Sequence, residues 1–297
     1  MRLAVTGKNG QVVSALRALA SNELEIVTLS RPELDLAQPE TVSKALRDVK
    51  PDAVVSAAAY TAVDKAESEP DIAFAVNRDG ARAVAQAARD LGIPVIHLST
   101  DYVFDGTKAT AYVESDPTGP TSIYGRSKLE GEQAISEVTG NYAILRTAWV
   151  YSEYGNNFVK TMLRLSENRD EINVVADQFG CPTSANDIAA ATITIARKLV
   201  ADSAVGLRGI FHLSGTGETN WANFAKQIFA FAEEHGGKSM IVKDITTAQY
   251  PTPARRPANS RLDCSKLEEV YGIRLPEWEK STRAVVSALA QSKKEKP

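Results

Sequence analysis

A tyrosine and a lysine stand four residues apart in the segment PTSIYGRSKLEGEQAI. On a helix this spacing places the side chains of Tyr124 and Lys128 on one face. A phenol ionises near pH 10 and is a poor acid–base group at neutral pH, but a neighbouring cation lowers its pKa. The pair could therefore take part in proton transfer, with a solvated surface pair as the alternative. The elements that lie opposite this helix decide between the two.

A glycine turn follows the first apolar segment of the chain. RLAVTG is typical of a strand, and TGKNGQVV continues into a helical pattern with Gly7 and Gly10 in the turn. Glycine lets the backbone approach a ligand closely, and a helix that begins there presents free N–H groups to an anion. This order predicts a nucleotide site rather than a plain turn. Val13 stands where a third glycine would allow close helix–strand packing, which would move the helix slightly away from the sheet.

The end of the second predicted strand indicates which cofactor is bound. About 20 residues after the glycines, an NAD-binding fold places an acid at the ribose hydroxyls. This chain instead has LSRPELDL, with Ser30 and Arg31 at that point. A hydroxyl and a guanidinium suit a 2′-phosphate, which favours NADPH and leaves Asp35 free to hold the adenine end. NADH remains the alternative cofactor if Arg31 is a surface residue of an ordinary turn.

Short apolar segments alternate with segments of helical period in the first half of the chain. Strands are predicted at RLAVTG, EIVTLS, DAVVSAAA, PVIHLST and YAILRTAWV, and helices at 11–20, 39–49, 71–91 and 122–138. This alternation predicts an α/β fold with a doubly wound, Rossmann-like parallel sheet. We expect 1–150 to form the NADP-binding region and 151–297 a smaller, mostly helical substrate-binding region. We also expect 170–180 to return to the main sheet, and 208–215 is a further candidate.

The composition is that of an ordinary globular protein. The 297 residues are 43% hydrophobic and 24% charged, with a formal net charge of -3. This balance argues against nucleic acid as a partner, and no apolar segment reaches the roughly 18 to 20 residues of a membrane span. The two cysteines lack metal or disulfide spacing, and the N-terminus lacks a signal-peptide core. We expect a cytoplasmic protein.

A series of motifs occurs in a fixed order along nearly the whole chain. They are TGKNGQV, SAAAYTAVDKAESEP, LSTDYVFDG, YGRSKLEGE, LRTAWVY, GNNF, DQFGCPT and YPTPARRPANSRLD. In this order they resemble the dTDP-4-dehydrorhamnose reductases, which are extended short-chain dehydrogenase/reductases. The resemblance implies that NADPH reduces the C4 ketone of a dTDP-linked 4-keto sugar while Tyr124 gives a proton to the C4 oxygen.

The resemblance also implies the remaining residues of the site. Lys128 would support Tyr124 and reach the nicotinamide ribose, and Thr100 would orient the substrate oxygen at the end of the fourth predicted strand. The cofactor would contact Gly10, Gln11 and Val12 at the pyrophosphate, Asp35 and Leu36 near the adenosine, and Ala59, Tyr60 and Thr61 after the third strand. The substrate would contact Asp101, Trp149 and Arg256.

Alternatives remain for several of these residues. Trp149 would pack on the sugar or base, or would be a plain core residue. Arg255 or Arg256 would clamp the diphosphate, because a guanidinium binds such oxygens bidentately; the family pattern favours Arg256, and a solvated loop is the alternative. His97 and His212 lie in predicted strands and are expected to be core residues.

Some members of this family hold magnesium at a dimer interface with acidic side chains. Ala15 and Asn186 stand at the matching positions, and neither is charged as a hard divalent cation requires. We therefore predict no bound metal and a monomer or weak homodimer. Two other functions remain: a non-catalytic NADP-binding protein resembling the regulatory subunit of methionine adenosyltransferase, and a reductase or epimerase of another nucleotide sugar.

Overall fold

Strands and helices alternate along residues 1–294, the part of the chain that the computed structural model describes; for residues 293–294 it describes the backbone only. The strands are β1 (Arg2–Thr6), β2 (Glu25–Leu29), β3 (Ala53–Ser56), β4 (Val95–Thr100), β5 (Tyr142–Thr147), β6 (Val150–Tyr151), β7 (Glu171–Val175), β8 (Phe179–Gly180), β9 (Thr183–Ser184), β10 (Gly209–His212), β11 (Thr219–Asn220) and β12 (Ile241–Ile245). The α-helices are α1 (Gln11–Ala18), α2 (Glu40–Val49), α3 (Val63–Ala66), α4 (Pro70–Phe74), α5 (Gly80–Leu91), α6 (Ile123–Val138), α7 (Phe158–Leu165), α8 (Ala185–Ala201), α9 (Trp221–Glu233), α10 (Ser265–Tyr271) and α11 (Trp278–Lys294). No helix within residues 1–294 combines the length and apolar character that crossing a bilayer requires.

Six parallel strands form the central sheet in the order β10-β5-β4-β3-β1-β2. Helices α1 and α8 pack on one face, and α2, α5 and α6 pack on the other. The predicted doubly wound, Rossmann-like α/β fold is confirmed. The chain moves to β2 on one side of β1 and to β3 on the other, and ligands of such sheets bind outside the carboxyl ends of the strands at this point.

The residues after 150 contribute to two cores. Helix α8, strand β10 and helix α10 bury their apolar side chains with the central sheet. Helices α7, α9 and α11 form a second core with β7 and with aromatic side chains such as Tyr151, Phe224 and Phe229. The chain therefore crosses between the two cores more than once, and the division at residue 150 stays a prediction.

The predicted return of 170–180 to the central sheet is wrong. Strand β7 pairs in parallel with β12 to form a separate two-stranded sheet, and β8 pairs with β11. Alternate residues of β7 are buried and exposed, whereas a strand inside the central sheet is covered on both faces. One side of β7 packs on the second core and the other faces solvent. The segment 208–215 contains β10, which lies at the edge of the central sheet beside β5.

The segment predicted as one helix over 71–91 consists of α4, a π-helical turn at Ala75–Asp79 and α5. π turns inside helices often occur at functional sites, and this one presents the buried side chain of Asn77. The Asn77 amide accepts from the Tyr60 N–H at 2.8 Å, and its Nδ2 donates to the Tyr60 carbonyl at 3.1 Å and to the Ser127 hydroxyl at 2.9 Å. The π turn therefore ties the segment after β3 to α6.

Gly131 makes this contact between α6 and the π turn close. A Cβ at Gly131 would lie 2.1 Å from the Asn77 carbonyl oxygen, so Gly131→Ala forces the two elements apart. Overpacking of this kind typically costs about 1–3 kcal/mol, and we expect denaturant unfolding to report a loss of that order. Gly140→Ala is the matched control, because a Cβ there meets nothing within 4 Å. Equal stability of the two variants would contradict the close contact.

Candidate active site

Helix α6 carries the tyrosine–lysine pair and is fixed at its N-terminus. The Ser122 hydroxyl accepts a hydrogen bond from the Gly125 N–H at 3.1 Å and caps the helix. A Cβ at Gly125 would lie 2.2 Å from the carbonyl oxygen of Tyr102, in the 3₁₀ turn after β4. The rings of Tyr102 and Tyr124 pack edge to face with centroids 5.5 Å apart. The absence of a side chain at Gly125 thus brings Tyr124 to the carboxyl end of β4.

Tyr124 is half-buried beside the end of β4. Burial raises the pKa of the Tyr124 phenol above its usual value, while a hydrogen bond with the Thr100 hydroxyl acts in the opposite direction and the charge of Asp101 raises the pKa further. Burial therefore dominates the pKa of Tyr124 in this structure, and the lowering of this pKa by Lys128 stays a prediction. The phenol holds its proton at neutral pH, which suits a proton donor.

The ammonium of Lys128 is directed toward the sheet. Its Nζ donates to the Leu98 carbonyl at 2.7 Å and lies 3.1 Å from Nε2 of His97. Burial lowers the pKa of Lys128 to about 8, against the opposing effect of the Glu132 charge. The side chain is 2% exposed, so an exposed surface pair does not describe the structure.

Two polar residues at the end of β4 adjoin Tyr124. The Thr100 hydroxyl donates to Oδ1 of Asp101 at 3.0 Å and accepts from the Tyr102 N–H at 3.2 Å. Burial raises the pKa of Asp101 to about 6. Asp101 is buried, and a hydrogen bond with the Ser260 side chain opposes this rise in its pKa. The predicted set of Thr100, Asp101 and Tyr124 is thus brought together at one strand end.

The glycine turn lies between β1 and α1, as the sequence pattern predicts. Gly7 has a φ of 100°, which favours glycine, and Gly10 is the exposed N-cap residue of α1. The side chains of Val12 and Val13 are buried in the core beneath the helix. Any contact that Val12 makes with a ligand would therefore come from its backbone.

Gln11 connects this turn to the residues after β5. Its Nε2 donates to the Val150 carbonyl at 3.2 Å, and its Oε1 accepts from the Ser152 hydroxyl at 2.8 Å and from Nδ2 of Asn157 at 2.9 Å. The Gln11 side chain is therefore occupied within the protein. It joins the glycine turn to the GNNF motif, and a role at the pyrophosphate stays a prediction for its backbone.

The residues after β2 differ in exposure. Arg31 is exposed and Ser30 is half-buried. Asp35 accepts from the Ala37 N–H at 3.0 Å, and Leu36 is buried in the core beside Gly80. The guanidinium of Arg31 is accessible to a 2′-phosphate, and all four assignments to the cofactor stay predictions.

The segment after β3 is held at Tyr60. Besides the two backbone bonds to Asn77, the Tyr60 hydroxyl donates to Glu69 at 2.5 Å, and this hydrogen bond raises the pKa of Tyr60 to about 12. Ala59 is half-buried and Thr61 is exposed. The segment is fixed in position with Thr61 accessible, and its contact with a cofactor stays a prediction.

The structure distinguishes the two adjacent arginines. Arg255 is exposed, whereas the guanidinium of Arg256 donates to Asp64 at 2.6 Å and to the Tyr102 hydroxyl at 3.0 Å. Both arginines line a cavity of about 720 Å³ together with Phe179, which is within the usual size of ligand pockets. Arg256 is therefore the arginine linked to the Tyr124 end of the site, through Tyr102.

Trp149 combines core packing with backbone strain. Its ring stacks on Trp221 with centroids 3.6 Å apart, and its φ of 51° is uncommon for a non-glycine residue. A Cβ at Gly180 would lie 2.5 Å from the Trp149 ring. One ring face is thus used by Trp221, and a substrate contact on the rest of the ring stays a prediction. Backbone strain of this kind often occurs at functional sites.

The positions matched to a magnesium site lie in different surroundings. Ala15 is buried in the core, and Asn186 donates through Nδ2 to the carboxylate of Glu153. Over residues 1–294, no group of three or more His, Cys, Asp or Glu side chains could hold a metal ion. The absence of a bound metal stays a prediction, as does the oligomeric state.

Several residues of the site were missed by sequence reasoning. Asp64 and Tyr102 hold Arg256, Asn77 holds Tyr60, and Trp221 stacks on Trp149. Asp64 and Tyr102 stand inside motifs that the sequence already offered, but nothing local to them indicates a distant arginine. His97 is buried as expected, yet its contact with Lys128 was missed.

Nearly the whole chain matches a known protein family. The family model described as the RmlD substrate binding domain matches residues 1–291. The chain belongs to this family. A dTDP-4-dehydrorhamnose reductase from Sinorhizobium fredii is 64% identical over 97% of this chain and 98% of that protein. One from Escherichia coli K12 is 42% identical over 97% and 98% of the two chains.

Solved structures agree with the family assignment. A dTDP-4-dehydrorhamnose reductase from Bacillus anthracis in complex with NADP has a TM-score of 0.89 and 37% identity, covering 97% of this chain and 99% of that one. A UDP-glucose 4-epimerase from Thermus thermophilus with NAD has a TM-score of 0.79 at 21% identity, covering 98% and 99%. The second likeness shows the shared fold alone.

Proposed function

We propose that this protein reduces the C4 ketone of dTDP-4-dehydro-L-rhamnose with NADPH and releases dTDP-L-rhamnose. The observation that carries the proposal is the meeting of Thr100, Asp101 and Tyr124 at the carboxyl end of β4, with Lys128 buried one turn along α6. The full-length matches to reductases of this name support it.

The residues at the first turn fit a dinucleotide. The left-handed backbone of Gly7 and the exposed Gly10 leave room beside the N-terminus of α1, where free N–H groups attract a pyrophosphate. Arg31 supplies an accessible positive charge at the end of β2. When bound, NADPH supplies the hydride that adds to C4 of the sugar.

The side chains around the C4 oxygen supply the proton. As the C4 oxygen gains negative charge, the Tyr124 hydroxyl transfers its proton to it, so that the ketone becomes an alcohol and Tyr124 becomes a phenolate. Thr100 holds the substrate oxygen by turning its one hydroxyl proton from Asp101 to that oxygen, and the Lys128 ammonium stabilises the phenolate that forms. Asp101 holds Thr100 through the hydrogen bond at its Oδ1 and helps to position the sugar.

The cavity beside Arg256 suits the nucleotide part of the substrate. Arg256 is held by Asp64 and Tyr102 in one orientation, and a fixed guanidinium binds diphosphate oxygens at a smaller entropic cost than a mobile one. Trp149 supplies an aromatic surface for the sugar or the base. We infer that the diphosphate binds to Arg256 and that the sugar extends from it toward Tyr124.

NADPH oxidation by the purified protein across a panel of nucleotide-linked 4-keto sugars tests this function. We expect turnover with dTDP-4-dehydro-L-rhamnose and much slower turnover with sugars on other nucleotides. Turnover on none of them, with NADPH bound, would favour a non-catalytic NADP-binding protein, and preference for another nucleotide would reassign the substrate.

Arg31→Asp tests cofactor selection. Because the guanidinium is accessible at the end of β2, the substitution replaces attraction for the 2′-phosphate with repulsion, whereas NADH has no phosphate there. We expect the Kd for NADPH to rise about tenfold or more, since a charged hydrogen bond contributes about 1.5–3 kcal/mol, and the Kd for NADH to change little. Arg197→Asp makes the same charge change on the exposed side of α8 and is the control. Equal losses for both cofactors would remove Arg31 from the phosphate site.

A further inference from the structure

One face of strand β4 is polar although it is buried. Side chains alternate along a strand, and His97 and Ser99 point to the face covered by α6, where they contact Lys128 and Glu132. Ile96 points to the opposite face and belongs to the apolar core. A buried polar face under a helix is costly unless its groups are paired. The contacts on this face therefore indicate which groups donate and which accept.

The contacts of the His97 ring specify its tautomer. Nε2 lies 3.1 Å from Nζ of Lys128, and Nδ1 lies 3.0 Å from the Ser56 hydroxyl on the neighbouring strand. Ser56 is the direct partner of His97 in the pairing of β3 with β4. A lysine ammonium has donors only, so Nε2 must accept from it and Nδ1 must carry the ring proton, which it donates to Ser56.

We propose that His97 is a positioning residue for the reduction, in which its Nε2 accepts a hydrogen bond from Lys128 while Ser56 fixes the ring from the other side. The role rests on the proposed function of Lys128. Together with the Leu98 carbonyl, His97 uses two of the three N–H groups of the ammonium. The third N–H remains for a ligand or for Tyr124. Its direction is fixed by the other two N–H groups, because the ammonium is tetrahedral.

The charges around the pair keep His97 in the accepting form. Burial, together with the nearby Lys128 charge, lowers the pKa of His97 well below its usual value. On α6, the charge of Glu132 acts to raise the pKa of Lys128, and Glu132 is itself paired with Arg146 of β5. In the 3₁₀ turn, Asp101 and Tyr102 act on Tyr124. A neutral imidazole therefore accepts a hydrogen bond from the ammonium, whereas a protonated ring would repel it.

Nitrogen-15 NMR of the imidazole groups tests the geometry without any assay of activity. The chain has three histidines, so single substitutions assign the signals. We expect His97 to remain neutral from about pH 6 to 8, with the proton on Nδ1, in the free protein and with NADPH bound. A proton on Nε2, or a charged ring at neutral pH, would overturn the proposal whatever the activity of the protein.

Two variants of His97 separate positioning from folding. His97→Leu removes the acceptor, whereas His97→Gln places an amide oxygen about where Nε2 lies. For His97→Leu we expect kcat/KM to fall about 10- to 100-fold, as for a lost hydrogen bond to a charge, and the alkaline limb of its pH profile to move to lower pH, because the ammonium is less stabilised. His97→Gln should recover most of both. His212→Gln, at a buried histidine that contacts the carbonyls of Tyr112 and Asp263, is the control and should lower stability without moving the limb.

The outcomes separate the positioning role of His97 from the proposed function of the protein. An unmoved alkaline limb in His97→Leu, or equal defects in the Leu and Gln variants with folding verified, would overturn the positioning role. If the wild-type protein turns over no 4-keto sugar, the function fails, and the NMR tautomer together with the NADPH Kd of the two variants still decides whether His97 holds Lys128.

Discussion

Tyr124→Phe is expected to lower turnover by about 10²–10⁴-fold, the usual contribution of a general acid or base. The substitution removes the phenolic proton and keeps the ring, including its edge-to-face packing on Tyr102. Because the pKa of Tyr124 is raised by burial, the wild-type phenol is protonated at neutral pH, and the variant has no equivalent donor. The NADPH Kd should change little. Stopped-flow measurement of NADPH oxidation under single-turnover conditions, beside a binding titration, gives both quantities.

Tyr271→Phe is a matched control for this loss. The Tyr271 hydroxyl is largely buried and donates to the Leu207 carbonyl. Tyr271→Phe therefore removes a buried hydrogen bond between residues that are distant in sequence from Tyr124 and from β4. We expect lower stability with near-normal turnover. Near-normal turnover in Tyr124→Phe as well would remove Tyr124 from the chemistry.

Lys128→Met should lower turnover to a similar extent and also weaken NADPH binding. Methionine fills the space of the lysine stem without its charge, so the phenolate formed at Tyr124 loses its stabilising cation and the ribose loses a donor. Removing the ammonium also leaves the Leu98 carbonyl and Nε2 of His97 without their donor, so the variant is expected to be less stable as well. Activity and the NADPH Kd, measured with the unfolding midpoint, separate the effects.

The same lysine sets the expected pH dependence. Its pKa is lowered by burial to about 8, so the ammonium is present at lower pH and is lost as the pH rises through about 8. The kcat/KM of the wild-type protein should fall on that alkaline side, and this limb should be absent from the residual activity of Lys128→Met. Lys198→Met removes a lysine that donates to the Tyr271 carbonyl at 2.7 Å, and its profile should match the wild type. A limb that persists in Lys128→Met would assign it to another group.

Local patterns in the sequence predicted the parts of the site that depend on local geometry. The strand, glycine turn and helix at Gly7 and Gly10 require only a few neighbouring residues, and the spacing of Tyr124 and Lys128 requires only a helix. Strands β1 to β5 were recognisable because strands covered on both faces are apolar throughout. These features survive in the structure with boundaries shifted by at most three residues.

Features that depend on distant contacts could not be predicted in this way. The pairing of β7 with β12 joins segments far apart in the sequence, and an apolar segment does not specify its partner. The raised pKa of Tyr124 results from burial by several elements, and its lysine neighbour on the helix turns to His97 and Leu98 instead. Arg256 meets Asp64 across most of the chain, which no spacing within either motif indicates.

Transfer of deuterium from NADPH that carries deuterium at both C4 positions of the nicotinamide tests the central claim most directly. The wild-type protein, incubated with the labelled cofactor and dTDP-4-dehydro-L-rhamnose, should give dTDP-L-rhamnose that carries one deuterium bound to C4, as read by NMR and mass spectrometry of the product. Tyr124→Phe should give the same labelled product more slowly. A product without deuterium at C4, or no product while NADPH and the sugar both bind, would contradict the account.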